Sequence, residues 1–517
     1  MTQKTRTENS ILNINFSVIS QLIKIVFAFL SRTVFIYTLG MEILGTNGVF
    51  ASILSYLALS ELGIGTAVTF TLYKPIAEND TEKIKSIVNF YRKLYKIIGL
   101  VILVAGMSVI PFLQSITSDY VLTKQLYIAY IIYVINIAST YLLFSYRQVL
   151  LVAHQKKHKI EKTNIVCYLL TNSLQIAFLL LYHNYIVYLV IQFFTQNLQQ
   201  YWIYRVVGRE YSYVNDKDCK KLGKADKKSI GNSVFSIAFF KVGAVILNST
   251  DNIIISAFIG VAIVGIYSNY HLLISTVTGF IGLVFSSLTA SVGNLNVSAS
   301  CEQREKVFDK IFLVSTLLYG AGGMMLFQML NPFISLWLGD SYVFSNQTVI
   351  VFIIDFMLAG YMIPIDTFKD ACGVFKVGRY RPLLTVVINI ILSVILAQKM
   401  GITGIVLATS ISRICTTFWI DSRYTYKLVF QKRPFKYYLT FVKYFVLDCM
   451  GILILVLIGS YVSKLQLSPM INLIITFAYT GIFIIAFILV VYGRKTEFIE
   501  LKNLALKIVK RRGHKNA

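Results

Sequence analysis

The sequence predicts an all-α membrane protein of about fourteen transmembrane helices: two six-helix lobes related by a pseudo-twofold axis along the membrane normal, plus two appended helices. Three observations predict it. The 517 residues are 56% hydrophobic and only 14% charged, against about 25% charged in soluble globular domains. Apolar stretches of about 20 residues recur along the whole chain, each long enough to cross a hydrocarbon core of about 30 Å. The stretches are continuous, as in LVAGMSVIPFL, whereas a transmembrane barrel alternates apolar and polar residues in segments of about ten.

The polar start, MTQKTRTENS, is followed by an apolar stretch from Ile11 to Leu39 with no small-residue cleavage site, so a retained first span is expected. Further spans are expected near residues 44–71, 94–114, 124–150, 164–182, 185–206, 230–258, 262–289, 309–331, 346–371, 383–398, 402–422, 438–462 and 469–492. The corresponding organisation is an N-lobe over 1–208, a cytoplasmic linker over 209–228, a C-lobe over 229–429, the appended spans over 430–493 and a tail over 494–517.

A net charge of +25 would suit a nucleic-acid binder if the cations gathered on one surface. Instead they fall in alternate loops: Lys74 to Lys96, Arg147 to Lys162, Arg205 to Lys228, Arg304 to Lys310, Lys376 to Arg381, Arg423 to Lys436 and Arg494 to Lys515. The intervening connections hold little beyond Lys124, Lys399 and Lys464. The positive-inside rule then places both termini and every basic loop in the cytoplasm, which requires an even number of spans. No nucleic-acid partner is expected.

The two sets of six spans read as copies. Leu39-Gly40 followed by Gly45 recurs as Ile259-Gly260 followed by Gly265, a shift of 220 residues. Pro111-Phe112 after the third span recurs as Pro332-Phe333 after the ninth, and the basic turn from His154 to Ile160 falls over Phe375 to Arg381, both at a shift of 221. Both copies enter from the same side, the condition for an axis along the membrane normal. A cleft between two lobes is the expected consequence.

Four spans carry a polar face. On the first, Asn13, Ser17, Ser20, Gln21, Lys24, Ser31 and Arg32 form one stripe. On the seventh, Lys241, Asn248 and Asn252 share a face with Asp251 beside them; the sixth adds Gln192, Thr195, Gln196 and Gln199, and the twelfth Ser410, Arg413 and Thr417. A charge at mid-membrane costs at least about 2.5 to 3.5 kcal/mol, so Lys24, Arg32, Lys241 and Arg413 should face a water-filled cavity or a partner. Two readings follow. In one, Arg32 and Asp251, at equal depth, form an ion pair and Lys24 snorkels; in the other the cations line a cavity that binds an anionic headgroup such as a pyrophosphate, with Gln21, Asn248, Asn252, Gln192 and Gln196 as polar lining. The two are compatible if the pair opens during transport.

The tenth span holds Asp355 and Asp366 near one face, with Lys369 and Asp370 one turn on and Pro364 as a hinge candidate. Asp366, Lys369 and Asp370 read equally well as a local ion-pair cluster. If transport is driven by H⁺ or Na⁺, the acids Asp251, Asp355 and Asp366 are the coupling candidates. Most of the 33 tyrosines belong to interfacial belts and cores, and Tyr130, Tyr133 and Tyr141 are candidates for stacking against sugar rings. In the tail, Phe498, Leu501, Leu504 and Ile508 oppose Lys502, Lys507, Lys510 and Arg511, the pattern of a basic amphipathic helix on an anionic leaflet. Six scattered cysteines give neither a disulfide framework nor a zinc site. There is no Walker loop, dinucleotide fingerprint, H-E-x-x-H or triad-like grouping. No enzyme and no cofactor are expected, and secondary transport is left.

Two segments, ELGIGTAVTFTLYKPIAENDTEKIKSIVNFYRKLY (Glu61 to Tyr95) and NSTDNIIISAFIGVAIVGIYSNY (Asn248 to Tyr270), together with the span pattern, resemble the Wzx-type polysaccharide repeat-unit flippases of the multidrug, oligosaccharidyl-lipid and polysaccharide exporter superfamily. The resemblance implies a two-lobed fourteen-helix fold that moves an undecaprenyl-pyrophosphate-linked oligosaccharide from the inner to the outer leaflet of the bacterial cytoplasmic membrane by alternating access. The pyrophosphate would sit among Lys24, Arg32, Lys241 and Arg413. Polysaccharide polymerase or assembly proteins are the implied partners. A cation-coupled exporter of small amphiphiles on the same fold, or a flippase for lipid II or teichoic-acid precursors, is the competing reading.

Overall fold

The computed structural model describes residues 6–58, 64–117, 119–216, 222–224, 226–228, 230–231, 249–372, 374, 378, 380–465 and 468–503. Among them the fold is all-α, as the composition predicts, and no strand occurs. The chain forms two compact units, Met1–Gly265 and Ile266–Ala517.

The first unit is built from α1 (Arg6–Leu39), α2 (Met41–Leu57), α3 (Ile64–Ala77), α4 (Thr81–Ser108), α5 (Lys124–Leu142), α6 (Lys157–Tyr182) and α7 (Tyr185–Glu210). Side-chain caps start two of them. Asp80 accepts from the Lys83 amide at 2.9 Å, and Asn184 accepts from the amides of Ile186 and Val187, which satisfies donors that a helix start leaves open. Helix α1 lies along α6, α4 along α5, and α6 along α7. Apolar residues of α3, α4, α7 and the short helix Gln148–Ala153 close over a core that includes Leu72, Ile87, Tyr91, Ile102, Leu150 and Val207.

The second unit holds most of α8 (Val261–Ser298), then α9 (Cys301–Leu338), α10 (Asn346–Ala371), α11 (Arg381–Arg413), α12 (Phe435–Val462) and α13 (Pro469–Val491). A capping box between Ser300 and Gln303 opens α9. Past Arg413 the helix continues through two π-helical turns, Ile414–Phe418 and Tyr426–Phe430.

Among the described residues ten helices are long and apolar enough to cross a membrane, so the chain is a multi-pass membrane protein. The longest of the ten, Arg381–Phe430, is interrupted at Gly401, whose φ of 57° and ψ of −136° are not helical. A span boundary between 398 and 402 was expected there, and glycine is the residue that tolerates this geometry. Helix α7 is not among the ten because Gln192, Gln196, Gln199 and Gln200 dilute its apolar content. The expected seventh span, the second half of the linker region and Glu61 lie wholly or partly outside the described residues.

Two expectations need correction. The third and ninth spans, expected at 94–114 and 309–331, belong to helices that begin earlier, at Thr81 and Cys301. At about 1.5 Å per residue these helices outrun a core of about 30 Å, so their basic first turns are helical extensions, invisible to an apolar window. The proline landmarks also differ in local structure: Pro111 sits in a 3-10 turn, Ile110–Phe112, whereas Pro332 is inside α9.

The glycine landmarks, by contrast, meet each other. A Cβ on Gly45 would stand 1.9 Å from the carbonyl oxygen of Val261, and a Cβ on Gly265 would stand 2.6 Å from that of Met41. Met41 and Val261, like Gly45 and Gly265, are separated by the 220-residue repeat shift. The contact is therefore reciprocal, residue for residue, which is the signature of local twofold packing. Gly40 and Gly260 precede these helix starts with φ of 89° and 139°, in the region that favours glycine. The Asp119 carboxylate receives the Val261 amide at 3.2 Å.

Candidate functional site

The polar stripe of α1 is only half turned outward. Ser20 and Ser31 are buried, and Gln21, Lys24 and Arg32 are partly buried. Helices α5, α6 and α7 contribute phenols around Tyr188, which lies within electrostatic reach of Arg32. Ser31 shares a hydrogen bond with the Tyr188 hydroxyl, which lies within electrostatic reach of Arg32 and of Tyr168. The Tyr168 hydroxyl donates to the Lys24 carbonyl oxygen at 3.2 Å. Tyr133 and Tyr185 both donate to Asn47 Oδ1 of α2, at 3.1 and 2.9 Å, and each interacts electrostatically with Tyr188. Phe35, one turn beyond Arg32, meets Tyr185 and Tyr188 edge-on with ring centroids 5.8 and 5.2 Å away.

The periodicity of the helices produces this cluster. Arg32 and Phe35 share a face of α1, and Tyr185 and Tyr188 share a face of α7, each pair three residues apart. A guanidinium offers five donors in a planar fork matched to phosphate, whereas the O–H protons of Tyr133, Tyr185 and Tyr168 are already given to Asn47 and to the Lys24 carbonyl oxygen. Among the tyrosines singled out from the sequence, Tyr133 belongs to this group. Tyr130 is fully buried and donates to the Gly106 carbonyl at 3.0 Å, and Tyr141 packs on Tyr95.

The other candidates of the first unit are placed as follows. Asn252 donates to Ser52 Oγ at 3.0 Å. Asp251 is buried, and Tyr56, which is hydrogen-bonded to Thr250, lies within its electrostatic reach. The polar face of α7 is bonded to neighbouring helices: Gln196 accepts from Asn136 at 2.9 Å and Gln199 donates to Asn164 at 2.6 Å. Gln192 is partly buried, and its backbone carbonyl accepts from Thr195 Oγ1. Lys241 and Asn248 lie outside the described residues.

In the second unit, two groups that the sequence put in separate roles are one pair. Arg413 Nε donates to Asp355 Oδ1 at 3.0 Å, and Ser410 joins the same carboxylate at 3.4 Å. Asp366 is bound by Lys369 at 2.9 Å, the local cluster that was one of its two readings, and Lys369 also reaches Asp421 at 2.8 Å. Arg381 completes the network with Asp421 at 2.7 Å. Asp421 is 4% exposed, so two cations held against it supply the compensation a buried carboxylate needs.

Sequence reasoning missed Asp421, Asp448, Asn47 and the tyrosines 168, 185 and 188. Asp448 had a readable signal, a lone acid in the apolar run from Phe445 to Leu455. Its carboxyl is gripped by the hydroxyls of Tyr361 and Tyr492. The tyrosines had none, because their phenols converge only after packing.

No protein-family model and no curated protein matches the sequence. Solved structures do match in fold. The lipid II flippase MurJ in an inward closed conformation superposes with a TM-score of 0.63 at 16% identity, covering 93% of this chain and 99% of that one. An inward-facing multidrug resistance MATE family transporter of the MOP superfamily gives 0.60 at 13% identity, over 78% of this chain and 94% of its own. A MATE transporter from Vibrio cholerae gives 0.57 at 12% identity, over 83% and 99%. The chain thus has the all-α membrane fold on which these transporters are built.

Proposed function

We propose that the protein is a flippase that carries an undecaprenyl-pyrophosphate-linked oligosaccharide repeat unit from the inner to the outer leaflet of a bacterial cytoplasmic membrane, for capsule, exopolysaccharide or O-antigen synthesis. The observation that carries this reading is Arg32 beside the Tyr188 phenol, around which Tyr133, Tyr168 and Tyr185 gather. A planar fork of guanidinium donors suits a pyrophosphate. Aromatic rings at the same level suit the sugars attached to it.

In this mechanism the headgroup binds at Arg32, with Lys24 about two helical turns away on α1 and Lys241 as a further cation, and access to the site alternates between the two membrane faces. The Arg413–Asp355 pair opens and closes with that cycle. Both termini lie in the cytoplasm, and the basic tail rests on anionic lipid. H⁺ or Na⁺ supplies the driving force, with Asp251, Asp355 and Asp366 as coupling candidates.

The similarity of the fold to MurJ over 93% of the chain favours lipid-linked cargo, because that alignment takes in more of this chain than those with MATE transporters. Translocation of a lipid-linked saccharide in vesicles decides between the readings. Neutralising Lys24, Arg32 and Lys241 together is expected to abolish it, and undiminished translocation would reject the cationic site. Drug resistance conferred on a sensitised host, without saccharide translocation, would favour a small-amphiphile exporter.

A further inference from the structure

Asp448 lies in the apolar middle of α12 and is 2% exposed. Both of its carboxyl oxygens are engaged by phenols: Tyr361 of α10 donates to Oδ2, and Tyr492, just past α13, donates to Oδ1 at 3.1 Å. Its third wall is Gly320 of α9, where a Cβ would stand 2.4 Å from Oδ2. On its own helix Tyr444, one turn earlier, and Cys449 lie within electrostatic reach. Among the described residues no basic group forms an ion pair with Asp448.

The cation that reaches this cluster stops at the phenols. The Lys495 ammonium donates to the Tyr444 hydroxyl at 2.5 Å and sits 3.9 Å above the Tyr444 ring and 5.8 Å from that of Tyr492. Burial, then the neighbouring Lys443, lowers the Lys495 pKa below the usual lysine range, so Lys495 releases a proton more readily than an exposed lysine.

A carboxylate taken out of water and given two neutral donors is undercompensated, whereas a carboxylic acid is not. Asp421, also buried, is surrounded differently, with Lys369 and Arg381 against it. Phenols suit a group that changes state, because each can donate to the ionised form or accept from the protonated one. Gly320 packs tightly enough to exclude water while the three helices are together.

We propose that Asp448 is a proton-binding site of the transport cycle, loaded when α12 is packed on α9 and α10 and emptied when that contact opens. On emptying, the Asp448 O–H bond breaks and the proton leaves past Tyr492, Tyr444 and Lys495 to bulk water; no other bond changes and no redox partner is needed. The coupling role rests on the transport reading above, but proton binding does not.

Infrared titration of the purified full-length chain tests the site itself. The wild type is expected to retain a protonated-carboxyl stretch above the pH range in which exposed carboxyls ionise, Asp448→Asn to lose it, and Tyr361→Phe, which keeps the acid, to shift it. The same carboxyl band in wild type and Asp448→Asn, or no such band in wild type, would overturn the proposal. In vesicles, a gradient of about one pH unit is expected to bias translocation by up to about tenfold in wild type and to have no effect on Asp448→Asn. Equal stimulation of both overturns the coupling role while leaving the spectral result standing. If the chain moves no lipid-linked saccharide at all, the infrared arm still decides whether the proton site exists.

Discussion

Arg413 meets the Asp355 carboxylate at 3.0 Å, whereas Arg32 lies within electrostatic reach of the Tyr188 phenol. A comparable contrast holds at the helix ends, where Glu210 closes α7 against Lys156 and Lys159. Burial there works to raise the Glu210 pKa, but the hydrogen bonds from the two lysines outweigh it and hold the carboxyl below the usual glutamate range. A depressed folded-state pKa adds stability above the unfolded-state value, and that stability is lost as pH falls through the folded-state value. Glu210→Gln is therefore expected to lower the melting temperature at neutral pH and to flatten its decline on acidification, as scanning fluorimetry across pH would show. Arg32 was legible in the sequence because a cation in a span is conspicuous. Of its phenols only Tyr133 was singled out, because 33 tyrosines spread along the chain carry no local mark of which will converge.

At the scale of elements, the starts of α2 and α8 cross where Gly45 meets Val261 and Gly265 meets Met41. Glycine is required on both sides, since a methyl group would enter backbone atoms that cannot turn away. Gly45→Ala and Gly265→Ala are each expected to cost about 1 to 3 kcal/mol through overpacking, read as a lower thermal midpoint in detergent. If alanine is tolerated at both positions without such a shift, the close crossing is wrong. The glycine spacing was visible as a sequence repeat, and so was the break that Gly401 makes before the last part of the Arg381–Phe430 stretch. Helix lengths were not, because residues such as Lys83, Lys85 and Arg304 extend helices past the apolar window that marks a span. The polar face of α7 was seen, but Asn136 and Asn164 as its partners depend on the packing of α5 and α6, which no single segment records.

For the whole molecule, the alternation of basic and neutral connections gives an expected threading with every basic loop in the cytoplasm. Single cysteines replacing Glu302 and Asp340, at opposite ends of α9, in a chain cleared of its own six cysteines, are expected to label with an impermeant thiol reagent from opposite faces of the membrane. Glu302 should report from the cytoplasmic side. Phosphate recognition at Arg32 is tested most directly by the affinity of a short-chain prenyl pyrophosphate for the purified protein in detergent. A charge-assisted contact of about 1.5 to 3 kcal/mol predicts binding about ten- to a hundredfold weaker for Arg32→Gln, with Arg32→Lys in between because an ammonium keeps the charge but not the planar fork. Wild-type affinity in Arg32→Gln would contradict it.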